Sequence, residues 1–208
     1  MDSQLKPEFF QRQDNEPDEV FYQPPRLVKH IDEPACQALS EFYATIIPKG
    51  GAVLDLMSSW VSHLPQGQDY DQVVIQGMNV TEVAANEQAT SGLIFNLNTH
   101  PALPFIDGVF DACVIAVSIQ YLTQPWSVFA EVGRVLKPGA PFVLSYSNRC
   151  FPTKAVAIWQ SIRDEQKAAL INHYFEQTGL FDDRKFQDIS PNPGQTDPLY
   201  VVVGHRSA

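Results

Sequence analysis

The sequence predicts an α/β fold built on a doubly wound, mostly parallel sheet of seven strands. Five short apolar, β-branched runs alternate with segments of helical periodicity, an arrangement typical of parallel strands joined by right-handed crossovers. Several runs are apolar at consecutive positions, as expected of strands covered on both faces. Two further strands follow these runs, and a short, turn-rich segment joins them, so we expect the last strand to be antiparallel. The predicted strands are 52–56, 73–75, 93–95, 113–117, 142–144, 185–189 and 199–203.

Helical elements are predicted between these strands from apolar spacing and from capping residues. Apolar residues recur at helical spacing before the first strand, and Pro48, Gly50 and Gly51 end that helix. The other helices begin where a proline or a capping side chain precedes an apolar periodic segment. The predicted starting residues are Asp32, Asn79 or Thr81, Pro125, Pro152 and Asp164.

The length of 208 residues suits a single domain with a full hydrophobic core. Residues 1–20 are polar, acidic and proline-containing, and we expect them to form a flexible arm. Residues 21–208 then make one domain, with an N-terminal helix that covers the sheet.

Charge and composition limit the partners and the compartment. The chain has 24 acidic and 14 basic residues, a formal charge of −10, and no basic cluster, which argues against a nucleic-acid substrate. No apolar run approaches the roughly 20 residues that a membrane-spanning helix needs. The N-terminus does not resemble a secretory signal, and three cysteines are too few for a disulfide framework. We therefore predict a cytoplasmic protein.

A ligand of such a sheet binds at the carboxyl ends of the parallel strands, near the point where strand order reverses. The side chains that follow each predicted strand are therefore the candidates for a binding site. They lie in residues 55–62, 76–80, 95–98, 117–121 and 146–151.

One stretch carries a family resemblance. Residues 103–148 read LPFIDGVFDACVIAVSIQYLTQPWSVFAEVGRVLKPGAPFVLSYSN. This stretch resembles the second half of a class I S-adenosylmethionine-dependent methyltransferase of the type-11 group, with LPF-x-D-x-x-FD before the fourth strand and E-x-x-RVLKPG before the fifth. The resemblance implies the Rossmann-like methyltransferase fold, S-adenosylmethionine as cofactor and methyl transfer to a small molecule.

The first-strand motif departs from this family. The usual acidic-x-Gly-x-Gly-x-Gly reads DLMSSWV here, so the acid Asp55 is kept while Met57, Ser59 and Val61 replace the three glycines. Glycine permits unusual dihedrals and a close backbone approach to the ligand. The hydroxyls of Ser58, Ser59 and Ser62 can compensate as donors to the cofactor carboxylate. The alternative is that this turn no longer holds a ligand.

At two further positions an asparagine stands where the family has an acidic residue. Asn79 stands where the family has the acid that binds both ribose hydroxyls, and Asn96 stands where an aspartate often meets the adenine amino group. Asn79 can equally be the N-cap of the next helix, and Asn96 can be a turn residue. The resemblance assigns their neighbours to the cofactor site as well, namely Gly77, Met78, Leu97 and Ser118.

The segment before the covering helix combines aromatic and basic residues. In similar enzymes this region folds over the cofactor, which suggests that Tyr22 and Arg26 contact the cofactor carboxylate or the acceptor. His30 is the candidate catalytic base. Tyr121 and Arg149, which follow the fourth and fifth strands, are expected at the same opening.

Two rival functions are compared with methyl transfer on the features of the sequence. One is a non-catalytic protein of the same fold that binds S-adenosylmethionine, another metabolite or a partner. The other is a nicotinamide-dependent oxidoreductase, which needs Gly-x-Gly-x-x-Gly after the first strand and an acid after the second, and the sequence has neither. His63, just past the altered loop, is a second candidate base. Because His100, His173 and His205 lack the spacing or company of a metal site, no metal is predicted.

Overall fold

The computed structural model describes residues 5–208. The strands are β1 (Ala52–Leu56), β2 (Gln72–Gly77), β3 (Ser91–Ile94), β4 (Ala112–Ile115), β5 (Pro141–Tyr146), β6 (Phe181–Asp188) and β7 (Tyr200–Arg206). The α-helices are α1 (Asp18–Phe21), α2 (Glu33–Ile46), α3 (Val80–Ala84), α4 (Pro125–Val135), α5 (Ala157–Ser161) and α6 (Asp164–Thr178). Among the helices of this described part, none is long and apolar enough to cross a membrane.

The strands form one sheet in the order β3-β2-β1-β4-β5-β7-β6. Strands β1 to β5 pair in parallel, whereas β7 lies antiparallel between β5 and β6. This arrangement confirms the predicted fold class. Because the strand order reverses between β1 and β4, a crevice opens at the carboxyl ends of these two strands.

Side-chain alternation along β1 divides the core into two apolar layers. Leu54 and Leu56 pack in the layer that holds α4 and α6, and Val53 packs in the layer that holds α2. In the second layer, Leu39 and Tyr43 of α2 are fully buried. Because both faces are covered, β1, β4 and β5 are buried along their whole length.

The N-terminal segment differs from the predicted flexible arm. Residues 1–4 of that arm lie outside the described residues, and residues 5–20 pack on the domain. Phe10 is buried against Trp126, with ring centroids 4.9 Å apart, and Arg12 donates to the buried Asp18 at 2.6 Å. Composition suggested an arm, but burial of a single aromatic side chain contributes about 1.5–3 kcal/mol, and here a buried ion pair adds to it.

The helix expected to open at Pro152 is also shorter than predicted. The backbone N–H of Val156 donates to the carbonyl oxygen of Gln120 at 3.0 Å, and that of Ala157 donates to the carbonyl oxygen of Gln11 at 2.8 Å. These bonds to other segments take the backbone out of helical pairing. The helix, α5, therefore begins only at Ala157.

Candidate active site

A cavity of about 550 Å³ lies at the carboxyl ends of β1, β2 and β4. Residues 57–61 after β1, Gly77 and Met78 at the end of β2, and residues 116–118 after β4 line it. The segment between α1 and α2, residues 22–32, lines it as well, and we call this segment the strap. Position and volume are both those of a small-molecule site in an open α/β sheet.

With the exceptions of Asn79 and Ser62, every site residue predicted from the sequence lines this cavity. The strap, the four parallel strands β1 to β4 and the turn after β5 each contribute to it. The predicted residues brought together are Tyr22, Arg26, His30, Asp55, Met57, Ser58, Ser59, Gly77, Met78, Asn96, Leu97, Ser118, Tyr121 and Arg149.

The Asn79 side chain is fully used inside the protein. Its Oδ1 accepts from the backbone N–H groups of Thr81 and Glu82 at 2.9 and 3.1 Å, which caps α3. Its Nδ2 donates to the carbonyl oxygens of Tyr22 and Gln23, both at 2.9 Å. Of the two roles weighed for Asn79, the structure shows the N-cap, together with an anchor for the strap. The ribose role does not fit a carboxamide that is already saturated.

Asn96 lines the cavity, yet its amide is held by the chain itself. Its Nδ2 donates to Oε1 of Glu19 at 3.1 Å and lies 3.5 Å from Oδ2 of Asp18. Its Oδ1 accepts from the backbone N–H of Asn98 at 2.9 Å. Acidic residues of α1 therefore satisfy the amide that the resemblance assigns to adenine.

The loop after β1 keeps a glycine-like backbone although its glycines are replaced. Met57 has a φ of 54°, and Val117, which follows β4, has a φ of 42°. Such conformations cost about 1–3 kcal/mol at non-glycine residues and cluster at functional sites. The Met57 N–H donates to Oε1 of the buried Gln76 at 3.0 Å, which fixes this turn. Of the three positions where the family has glycine, Met57 alone has a positive φ, and its side chain lines the cavity.

The two loop serines turn their hydroxyls toward acids of the protein. Ser58 donates to Oδ2 of Asp55 at 2.5 Å, and Ser59 donates to Oε2 of Glu82 at 2.6 Å. These protons are therefore engaged. The idea that both hydroxyls replace lost donors to a cofactor carboxylate does not match this geometry.

Asp55 is a buried carboxyl group at the end of β1, only 1% exposed. Its Oδ1 and the Oγ of Ser118 have no hydrogen-bond partner among residues 5–208. Burial raises the pKa of Asp55 to about 7, although the hydroxyls of Ser58 and Ser62 partly lower it. Near neutral pH the protonated and the ionised forms of this carboxyl are therefore both populated, and Oδ1 of Asp55 and Oγ of Ser118 are buried polar atoms at the cavity that lack a partner among the described residues.

Glu82 is a cavity carboxylate that the sequence reasoning missed. It is 8% exposed, and its Oε1 accepts from the backbone N–H of Arg26 at 2.6 Å. Together with its bond from Ser59, this contact joins α3, the loop after β1 and the strap. A glutamate in the first turn of a helix is ordinarily explained by the helix dipole, so no sequence signal marks it as a site residue. Asp18 of α1, which also lines the cavity, was missed for a similar reason.

The two histidines of the cavity are neutral near pH 7. Burial lowers the pKa of His30, whose ring lies edge-on to Phe151 with centroids 5.3 Å apart. Burial lowers the pKa of His63 to about 4. Across residues 5–208, no group of three or more His, Cys, Asp or Glu side chains is arranged to hold a metal ion.

Residues 67–144 match the sequence model of the family described as the methyltransferase domain. This part of the chain is therefore similar to a methyltransferase domain. A curated relative, the biotin biosynthesis bifunctional protein BioHC of Teredinibacter turnerae, is 32% identical over 85 residues. That match spans 39% of this chain and 15% of the relative, so the chain corresponds to a small part of its length.

The chain shares its fold with solved structures of low sequence identity. A chain from the complex of the Haloferax volcanii Trm112 methyltransferase activator with its methyltransferase superposes with a TM-score of 0.62 at 14% identity, covering 85% of this chain and 91% of that one. Phosphoethanolamine N-methyltransferase 2 of Haemonchus contortus, solved with S-adenosyl-L-methionine, gives 0.59 at 13% identity, covering 83% and 52%. These likenesses establish the fold.

Proposed function

We propose that this protein transfers the methyl group of S-adenosylmethionine to a small molecule. The observation that carries the proposal is the cavity at the carboxyl ends of β1, β2 and β4 in a chain with a methyltransferase domain. Methyl transfer requires alignment of the acceptor, exclusion of water and, for some acceptors, removal of a proton. A cavity partly covered by the strap meets the first two requirements.

The cavity fits the proposed cofactor in volume and in its polar groups. Oδ1 of Asp55 and Oγ of Ser118 are buried beside the cavity without a partner in residues 5–208, so a polar ligand group that reached them would gain a hydrogen bond at no loss to the protein. Met78 and Leu97 supply apolar wall beside them. When bound, the cofactor supplies a methyl group activated by the sulfonium. A cation beside Asp55 favours the ionised carboxylate and opposes the effect of burial on its pKa.

Glu82 is the group we assign to the ribose hydroxyls. Asn79 is saturated, whereas the Glu82 carboxylate uses one acceptor site on each oxygen, for Arg26 and Ser59. An ionised carboxylate offers about four acceptor sites, so two remain for a diol. Its bonds to hydroxyls are charge-assisted and stronger than those of an amide.

We expect Glu82→Gln to weaken binding of S-adenosylhomocysteine by about 1.5–3 kcal/mol, roughly 10- to 150-fold. Because Glu82 also holds the strap, the affinities of adenosine and 2′,3′-dideoxyadenosine are compared by calorimetry in each variant. If Glu82 binds the ribose hydroxyls, Glu82→Gln should lose part of the preference for adenosine over 2′,3′-dideoxyadenosine. If the change only loosens the strap, the affinity for both nucleosides should fall by the same factor. Glu87→Gln, an exposed change just after α3, is the matched control. An unchanged preference in Glu82→Gln would place the ribose elsewhere.

His30 is the residue we assign to proton removal. Its lowered pKa leaves the imidazole unprotonated near pH 7, which is the state that a base needs. In the proposed reaction His30 would accept the proton that the acceptor atom loses when it is methylated. Arg149 is less free to bind an acceptor, since its Nε pairs with Oδ1 of Asp197 at 2.7 Å.

The direct test is titration of the protein with S-adenosylmethionine and S-adenosylhomocysteine. At a ligand concentration about a hundred times Kd, either ligand should stabilise the fold by about 2.7 kcal/mol, measured by thermal unfolding and by calorimetry. ATP at the same concentration serves as the control for a general nucleotide effect. Absence of both heat and stabilisation at millimolar ligand would refute cofactor binding.

The second candidate is a non-catalytic protein of this fold that binds the cofactor or another metabolite. The observation that favours it is that the chain's own groups saturate Asn79 and Asn96 and engage both loop serines. Cofactor binding without transfer of a labelled methyl group to any acceptor in a metabolite extract would support this candidate over the first.

We further propose that the acceptor is a small molecule, that nucleic acid is not bound and that the protein acts in the cytoplasm. The strongly negative formal charge of −10 disfavours a nucleic-acid partner. Cys36, Cys113 and Cys150 are free thiols, and the first two are buried. Reduced cysteines are the ordinary state in the cytosol.

A further inference from the structure

The Arg26 guanidinium is held in a fixed orientation at the cavity wall. Its Nη2 donates to the carbonyl oxygen of Phe21 at 2.9 Å, and its Nη1 donates to that of Pro24 at 3.3 Å. Its Cζ lies 4.6 Å from the ring centroid of Phe21 and 5.4 Å from that of Phe151. Two of its five N–H donors are thus used, and the group is positioned before any ligand binds.

Arg26 differs in its charge balance from the other cations of the cavity. Lys29 pairs with Glu33 at 2.5 Å and Arg149 pairs with Asp197 at 2.7 Å. Within residues 5–208, the Arg26 guanidinium makes no ion pair, and its bonds go to neutral carbonyl groups. Among the three cavity cations in the described residues, Arg26 is thus the one without an ion-pair partner. The Glu82 carboxylate lies on the same wall and accepts from the Arg26 backbone N–H at 2.6 Å.

Aromatic rings surround this cation and continue along the cavity. Phe151 lies 5.3 Å from Phe21, 5.3 Å from His30 and 5.9 Å from Tyr121, the last pair being stacked. The Tyr121 hydroxyl accepts from the Phe151 N–H at 2.8 Å, so its own proton remains available to a ligand. Flat apolar walls of this kind match a planar ring, which prefers offset or edge contacts at such distances.

We propose that Arg26 and this aromatic wall form the acceptor subsite, and that the acceptor is an aromatic acid whose carboxylate pairs with Arg26. The inference rests on the proposed methyltransferase function and names its substrate class. One guanidinium balances one negative charge and grips a planar carboxylate through two N–H groups. A phosphate dianion fits less well, because no second unpaired cation is at hand and the Glu82 carboxylate lies beside the strap.

The carboxylate that pairs with Arg26 could belong to the acceptor or to the methionine part of the cofactor. The experiment distinguishes these two sources. Benzoate, 4-hydroxybenzoate and indole-3-acetate are titrated by calorimetry in the presence of S-adenosylhomocysteine, each against its neutral amide. In a separate arm, S-adenosylhomocysteine is compared with methylthioadenosine, which lacks the carboxylate. The variants are Arg26→Gln and Arg26→Lys, with Arg184→Gln as control, since Arg184 pairs with Glu176 on the surface.

We expect at least one of these acids to bind about tenfold or more tighter than its amide. Arg26→Gln should abolish that preference and Arg26→Lys should restore part of it, because a lysine keeps the charge but not the fork. Arg184→Gln should keep the wild-type preference for the acid over its amide. Equal binding of every acid and its amide, or no binding of any acid at millimolar concentration, would overturn the proposal.

A third result would also overturn it: Arg26→Gln weakens S-adenosylhomocysteine but not methylthioadenosine, and leaves the acid preference intact. The carboxylate at Arg26 would then be that of the cofactor. Failure of the proposed function has a different signature, because the wild-type protein would then bind neither S-adenosylhomocysteine nor methylthioadenosine. The acid and amide titrations, repeated without cofactor, would still decide the assignment of the Arg26 subsite.

Discussion

Lys154→Met is expected to lower the free energy of unfolding by about 3–5 kcal/mol, the usual effect of removing one partner from a buried ionic cluster. The Lys154 side chain is 0% exposed, and its Nζ donates to the carbonyl oxygen of Glu16 at 2.7 Å. It also lies 3.2 Å from Oδ2 of Asp14 and 3.5 Å from Oδ1 of the buried Asp18. Methionine retains the volume but leaves these acceptors without their donor.

Urea unfolding of wild type and variant measures this loss. Lys185→Met is the matched control, because Lys185 pairs with Asp183 while 67% exposed, and such pairs contribute only about 0–1 kcal/mol. If the variant opens locally instead, residues 5–32 become sensitive to protease while the sheet stays folded. Equal stability and equal protease resistance in both variants would show that the buried lysine does not hold the N-terminal segment.

Asp55 is expected to make the protein less stable as pH rises from about 4 to about 7. The native state holds this proton up to a pKa of about 7, whereas an unfolded aspartate releases it near pH 4. The unfolded state therefore binds fewer protons across this window, and stability falls with pH. The contribution of this proton to the free energy of unfolding is fully present below pH 4 and is lost by pH 7. The shift in the pKa of Asp55 corresponds to a total of about 4 kcal/mol.

Asp55→Asn removes this titration while keeping the shape of the side chain. Relative to wild type, the variant should gain about 3 kcal/mol in free energy of unfolding between pH 5 and pH 8, measured by urea unfolding at both pH values. Asp71→Asn, at an exposed position, controls for the general loss of a negative charge. If the free energies of unfolding of wild type and Asp55→Asn differ by the same amount at pH 5 and pH 8, Asp55 is ionised throughout this range.

The sheet was predictable because its signal is local. Runs of consecutive apolar residues marked the buried strands, and the first predicted strand, 52–56, coincides with β1. The short connection before the last strand correctly indicated an antiparallel pair. The position of the cavity followed from the topology, since the carboxyl ends of parallel strands meet at one edge.

The errors concern residues whose environment depends on distant parts of the chain. Asn79 was open to two roles, and the strap decided between them by presenting two carbonyl oxygens to its amide. Glu82 and Lys154 look like solvated charges in the sequence, yet both are buried by partners far along the chain. The sequence predicts a flexible arm because residues 1–20 are mostly polar. Composition alone does not indicate that the Phe10 side chain packs against Trp126.

The contacts that hold the strap and the residues before it have a consequence for the order of folding. Lys154 and Asp14 are 140 positions apart, and Asn79 and Tyr22 are 57 apart. Closing long loops is entropically unfavourable until the contacts at their ends have formed, so we expect these segments to dock after the sheet has assembled. Interactions absent from the transition state act on the unfolding rate and leave the folding rate nearly unchanged. The lifetime of the closed cavity would then be set by residues that have no part in how fast the sheet forms.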